Sequence, residues 1–191
     1  ATSQACINLI NEAIENPNND TDSILKTKSM FQVARIVGKI LRNISNEYAA
    51  DGQAGENPYY STLILGGQII DQEHRLFLIY PEGNFIEASE DQSFFQIGET
   101  KYGKPIIVRA LEKESSFGDA IKLLLVSFDS TMKANVSVGM PIDVCTLNQN
   151  EFKAINRIRI EKNDPYFEHI SKNWGESLKR SIKELPPFDF K

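Results

Sequence analysis

Apolar positions along the chain change their period several times, and each change marks an element. From Thr2 to Glu15, Ala5, Cys6, Leu9, Ile10 and Ala13 recur at helical spacing before Asn16-Pro17-Asn18-Asn19-Asp20 stops them. A second amphipathic helix begins near Ser29, where Phe31, Ala34, Val37, Leu41 and Ile44 form one stripe and Arg35, Lys39, Arg42 and Asn46 lie off it. It should end before Asp51-Gly52, and the polar stretch from Asp51 to Pro58 is expected to be a surface loop.

The period then shortens. Tyr60 to Ile70, Arg75 to Tyr80, Asn84 to Ala88 and Phe94 to Ile97 read as successive antiparallel strands. Pro81-Glu82-Gly83-Asn84 suits the turn between two of them, since proline presets φ while glycine and asparagine tolerate positive φ. Gly66-Gly67 inside an apolar run predicts a bulge or a close backbone approach. A helix should open at Ser116, with the hydroxyl as cap and Asp119 as a short capping-box partner. From Ala120 to Phe128 nearly every position is apolar, so this helix is expected to be covered on more than one side. Ile142 to Leu147 and Ile155 to Ile160 read as two further strands. The last helix has the clearest start, with Asp164 as cap and Pro165 in the first turn. Its stripe runs through Tyr166 or Phe167, Ile170, Trp174, Leu178 and Ile182 to the stop at Leu185-Pro186-Pro187. Helices first, then a group of strands, a buried helix, two strands and a final helix favour a layered α+β architecture over alternating βαβ units.

Composition narrows the partners. With 191 residues, one domain spanning 1–191 can bury a sizeable core without disulfides or metal. A net charge of −5 with interspersed signs offers no stripe for a phosphate backbone, so nucleic acid is not expected as a partner. No run approaches a membrane span and no signal peptide is apparent, which predicts no membrane partner, while the reading of both cysteines as unpaired fits a reducing, cytoplasmic location. Cys6 and Cys145 both read as small buried hydrophobes, not as a disulfide or a metal site. His74 and His169 lack companions at ligand spacing and read as surface residues, so neither a metal nor any other cofactor is implied. Gly66-Gly67 is no phosphate cradle, because no lysine or helix start follows it.

Three segments carry a family resemblance that covers nearly the whole chain. They are Gly98-Glu99-Thr100-Lys101-Tyr102-Gly103-Lys104-Pro105-Ile106, then Phe128-Asp129-Ser130-Thr131-Met132 with Asn135-Val136-Ser137-Val138-Gly139, and Asp164-Pro165-Tyr166-Phe167 with Trp174-Gly175-Glu176. In this order and spacing the chain resembles the bacterial proteasome-type peptidases of the Anbu kind.

The resemblance implies a four-layer αββα sandwich, the N-terminal-nucleophile hydrolase fold. It also implies a mechanism in which a threonine at the mature amino terminus attacks the scissile carbonyl, with its own α-amine as base and a lysine tuning that amine. Thr2-Ser3-Gln4-Ala5 resembles the start of the family's first helix, which follows the early strands. The resemblance therefore places no catalytic residue in this chain. It puts the threonine, aspartate and lysine upstream of Ala1, in a segment on the order of 50 residues that carries the first strands. Thr2 itself reads as a helix cap, with exposure as a nucleophile after loss of Ala1 as the competing reading.

Within the chain, Asp129 and Ser137 resemble an aspartate and a serine that surround the nucleophile's amine, with Ser130 the alternative polar group at the wider spacing seen here. Each also has a plain structural reading: a polar helix end for Asp129, Ser130 and Thr131, and a turn for Ser137 and Gly139. Glu99 stands where ordinary proteasome β subunits have a serine, and it either orients the amine or pairs with Lys101 or Lys104. Tyr102 is expected to pack. The leading function is a subunit of a homo-oligomeric ring or open spiral that hydrolyses peptides, with any unfoldase partner left open. A noncatalytic structural subunit and a hydrolase of small amides are the alternatives.

Overall fold

The computed structural model describes residues 2–16, 23–50, 60–151 and 156–190. Among these residues five helices and five strands follow in the order α1 (Thr2–Glu15), α2 (Met30–Ala50), β1 (Leu63–Gly67), β2 (Arg75–Ile79), β3 (Phe85–Glu87), α3 (Lys104–Ala110), α4 (Phe117–Ala134), β4 (Ile142–Thr146), β5 (Asn156–Ile160) and α5 (Pro165–Glu184), with a 3-10 turn at Ile24–Lys26. The expected loop from Asp51 to Pro58 lies outside the described residues. The chain divides into two compact units, Ala1–Ile97 with Gln149–Glu151, and Gly98–Asn148 with Phe152–Lys191.

In the first unit, β1, β2 and β3 form an antiparallel sheet in that order. The α2 stripe packs on it: Met30, Val33, Ala34, Val37, Leu41 and Ile44 are buried together with Cys6 of α1 and Phe77 and Ile79 of β2. Helix α2 starts with a variant of the capping box, in which the side chain of Gln32 reaches the N–H one residue before the Ser29 cap. Ser29 Oγ accepts from the Gln32 N–H at 3.3 Å, and Gln32 Oε1 accepts from the Lys28 N–H at 2.9 Å. The β2–β3 turn closes with Gly83 at φ 85°, and its backbone lies against α2 so closely that a Cβ on Gly38 would fall 2.3 Å from the Gly83 carbonyl oxygen. Side chains are excluded there from both sides.

Several expectations are corrected in this unit. Phe94 to Ile97 forms no strand: the sheet ends at β3, and reciprocal main-chain hydrogen bonds between Ser89 and Gln92 turn the chain away. Gly66-Gly67 makes no bulge, because Gly66 pairs with Leu76 and Gly67 with Arg75 in unbroken register. The alternative, a close approach, is what is seen: a Cβ on Gly67 would meet Met30 Cε at 3.1 Å and one on Gly66 would meet Leu76 Cδ1 at 3.2 Å. Leu9 and Phe31 are exposed. The buried residues of α1 are Thr2, Cys6 and Ala13, and Phe31 meets Phe85 edge-on at 5.3 Å.

In the second unit, β4 and β5 form an antiparallel hairpin whose inward residues Ile142 and Ile160 pair directly. They form a core with Leu125 of α4 and Phe167 of α5. Strand alternation also overturns the reading of Cys145 as buried: it shares the outer face of β4 with Asp143 and is exposed. Asp164 caps α5 as expected, accepting from the Phe167 N–H at 2.9 Å, but farther along the helix Leu178 and Ile182 are exposed. Helix α4 is capped by Ser116, which accepts from the Asp119 N–H at 3.1 Å and donates to its carboxylate at 2.6 Å. The hairpin and α5 cover α4 through Leu125, and α3 covers it elsewhere, yet Leu124 and Phe128 remain exposed. Apolar composition therefore overstated how much of its circumference is enclosed.

Candidate functional site

The segment from Gly98 to Pro105, expected only as a motif, is a turn leading into the short helix α3. Gly98 has φ 79°, and Gly103 precedes the helix with its backbone pressed against α4. A Cβ on Gly103 would lie 2.1 Å from Ser127 Oγ and 2.9 Å from Thr131 Oγ1, so only glycine lets the two helices meet at this spacing. Thr131 Oγ1 also donates to the Ser127 carbonyl at 2.8 Å, which keeps that buried hydroxyl satisfied. Tyr102, expected to pack, is exposed, because α3 turns inward through Gly103 and Ile107 instead.

Two of the sequence-derived site residues come together and a third does not. Glu99 Oε1 accepts from the Lys101 N–H at 2.9 Å, and Oε2 accepts from Asn135 Nδ2 at 2.9 Å. The same Asn135 uses Oδ1 to accept from both the Ser137 N–H, at 2.9 Å, and the Ser137 hydroxyl, at 2.7 Å. Glu99 and Ser137 are thus joined through one side-chain amide at the end of α4. The Lys101 N–H, followed by the Asn135 amide, holds the Glu99 carboxyl below the usual carboxylate range. Lys101 therefore acts on Glu99 through its main chain as well as its charge.

Asp129 is engaged elsewhere. Its buried carboxylate takes two hydrogen bonds from Lys133 Nζ, at 2.6 and 2.7 Å, and the same ammonium donates to Ser171 Oγ of α5 at 2.7 Å. This chain of contacts ties α4 to α5. Ser130 is half-buried, one residue along α4 from Asp129. Thr2 is the first residue of α1 and is buried. Asn135 was not singled out from the sequence; the signal available was its position two residues before a serine, the spacing of a side-chain turn. His74 and His169 are both exposed, and among the described residues no group of three or more metal-ligating side chains occurs. No described helix is long and apolar enough to cross a membrane.

Comparison with solved structures gives the class of protein first: the α+β arrangement is the N-terminal-nucleophile fold in its proteasome-like form. Anbu from Hyphomicrobium sp. strain MC1, as a Gly-1 mutant, superposes with a TM-score of 0.89 at 39% identity, covering 98% of this chain and 77% of that one. Anbu (ancestral beta-subunit) from Yersinia bercovieri gives 0.89 at 37% identity, over 100% and 77% of the two chains. The Anbu complex from Pseudomonas aeruginosa, solved as a helical assembly, gives 0.86 at 35% identity, over 99% and 77%. The chain belongs to the Anbu family of proteasome-like subunits. No protein-family model and no curated protein matches it.

Proposed function

We propose that this chain is part of a homo-oligomeric, proteasome-like threonine peptidase that acts on peptides in the cytoplasm, folded as a single proteasome-like domain. The observation that carries this reading is identity of 35–39% with Anbu structures over 98–100% of the chain. Attack on the scissile carbonyl is assigned to a threonine at the mature amino terminus, outside residues 2–190, whose α-amine takes up the hydroxyl proton. Thr2 does not suit that role, since it is buried within α1. Glu99, Asp129, Ser130 and Ser137 are proposed to support that amine. The helical assembly of the Pseudomonas aeruginosa protein supports self-association here, in a ring or an open spiral.

The test is to express the complete reading frame, determine the mature amino-terminal residue and assay fluorogenic peptides beside a panel of small amides. A terminal threonine with peptide turnover is expected, abolished by its replacement with alanine. Turnover of small amides alone would move the activity to the amidase reading. A terminus with no threonine, or no turnover of either class, would leave a noncatalytic structural subunit. Light scattering should give a mass far above the monomer, and a monomeric mass at micromolar concentration would contradict assembly.

A further inference from the structure

We infer that the exposed apolar end of α5, with the segment that follows it, is a docking surface for a second copy of this chain. The inference rests on the self-association proposed above and names a surface that makes it. Spacings of four and three residues put Leu178, Ile182 and the cap residue Leu185 along one side of α5. They continue the stripe whose first members, Phe167 and Ile170, pack in the core beside Leu125. One pattern thus has two fates. Its first turns are enclosed by the chain itself, while Leu178 is 43% exposed, Ile182 67% and Leu185 65%. Beyond Pro186-Pro187, Phe188 and Phe190 are 79% and 92% exposed and meet each other edge-on at 4.8 Å.

The area suits a protein partner. With ~150–250 Å² to each large side chain, these five exposures sum to roughly 600 Å². Each side of a stable interface contributes about 800 Å², and the lysine and arginine stems around the patch supply the remainder. An apolar area of this size is at the upper end of what a monomer leaves to water, and such patches mark interaction sites. Pro186 and Pro187 fix φ between the helix and the two rings, so less chain freedom is lost when the rings are covered.

The charges around the patch choose the occupant. Lys179, Arg180 and Lys183 stand among Glu176, Glu184 and Asp189, and Glu176 already accepts from Lys179 at 2.9 Å. So mixed a rim lacks the single sign that a phosphate-rich surface or a highly charged protein would call for. A second copy brings the same mixture, which lets each rim charge meet an opposite one.

Ile182→Lys combined with Leu185→Lys tests this in the polypeptide encoded by the complete reading frame. Lysine favours both a helix and its carboxyl end, so the far-UV circular dichroism should match the parent's. The light-scattering mass at micromolar concentration should fall at least twofold, because a lost contact separates copies. An unchanged mass would overturn the inference, whether the chain's own residues cover the patch or nothing does.

A second experiment does not depend on how that variant folds. Phe188 is replaced by the photoreactive p-benzoylphenylalanine, which keeps an aromatic ring at the position. Irradiation of the purified protein should give a covalent product of twice the chain mass on a denaturing gel. A crosslink confined to one chain, or no crosslink, would overturn the inference. If the parent is itself monomeric, the self-association reading falls and this inference with it. If the parent assembles and neither experiment responds, only the surface named here falls.

Discussion

The two compact units bury apolar and polar side chains in different proportions. Around α2 the enclosed residues are mostly apolar, with Cys6, Ala34, Leu41, Phe77 and Ile79 all at 0% exposure, beside the small hydroxyls of Thr2, Ser23 and Ser45. Around α4 the buried positions turn polar after Leu125: Ser127, Asp129 and Thr131 follow, each satisfied by a partner or pressed against the Gly103 backbone. Apolar burial is non-directional and tolerates modest repacking, whereas a buried hydroxyl or carboxylate has to find a particular atom. The first unit is therefore built for cohesion. The second sacrifices some cohesion to fix the positions of polar groups, and it is the unit that contains Glu99, Ser130 and Ser137.

The sharpest way to break this contrast is to remove the centre of the apolar core. Phe77→Ala should cost about 3–5 kcal/mol, measured by urea denaturation, because the ring is fully enclosed and meets Phe85 edge-on. A loss no larger than that of a surface substitution would mean the first unit does not depend on its core. Next come the two close glycine contacts. Gly103→Ala should destabilise by about 1–3 kcal/mol, and Ser127→Ala should relieve much of that loss, because the atom it removes lies 2.1 Å from the added methyl. Gly38→Ala has no such suppressor, since it collides with the Gly83 carbonyl oxygen, a main-chain atom.

A smaller effect tests the polar side of the comparison. Lys133→Met leaves the carboxylate of Asp129, only 7% exposed, without its ammonium, and should lower stability by about 1–3 kcal/mol. Adding Asp129→Asn should recover part of the loss. If the double variant is no better than the single one, Asp129 is not paired as described. Asp164→Ala should cost about 1 kcal/mol, read as earlier fraying of α5 in amide hydrogen exchange.

The smallest expected effect is a pH dependence in the first unit. The Glu87 carboxyl sits below its ordinary range because the Arg75 guanidinium hydrogen-bonds to it across the β2–β3 pair. A depressed folded value means the pair's stabilisation is complete above the unfolded carboxyl's range and is lost as pH falls through the folded one. With both side chains about a third exposed, the contribution should be below about 1 kcal/mol, and Glu87→Gln should flatten only that acid limb of the stability curve.

Much of this molecule could be read along the chain because its signals are local. Helix caps at Ser116 and Asp164, the α2 stripe from Ala34 to Ile44 and the Gly83 turn depend on residues within a few positions of one another, and these are found where the pattern places them. The family could be read as well, since Gly98 to Ile106, Phe128 to Gly139 and Asp164 to Glu176 each keep a resemblance in order. Those same motifs indicated which residues to watch without saying which would touch.

Tertiary structure alone decided the partners. That Glu99 and Ser137 share Asn135, while Asp129 turns to Lys133 and Ser171, follows from where α3 and α5 lie against α4. Exposure was decided the same way: Leu9, Cys145 and Phe128 have apolar side chains and yet are exposed. Periodicity and caps follow from chemical groups a few bonds apart, so sequence determines them. Pairing between distant groups depends on how helices pack, and that is set by glycine contacts and core shape summed over the whole unit.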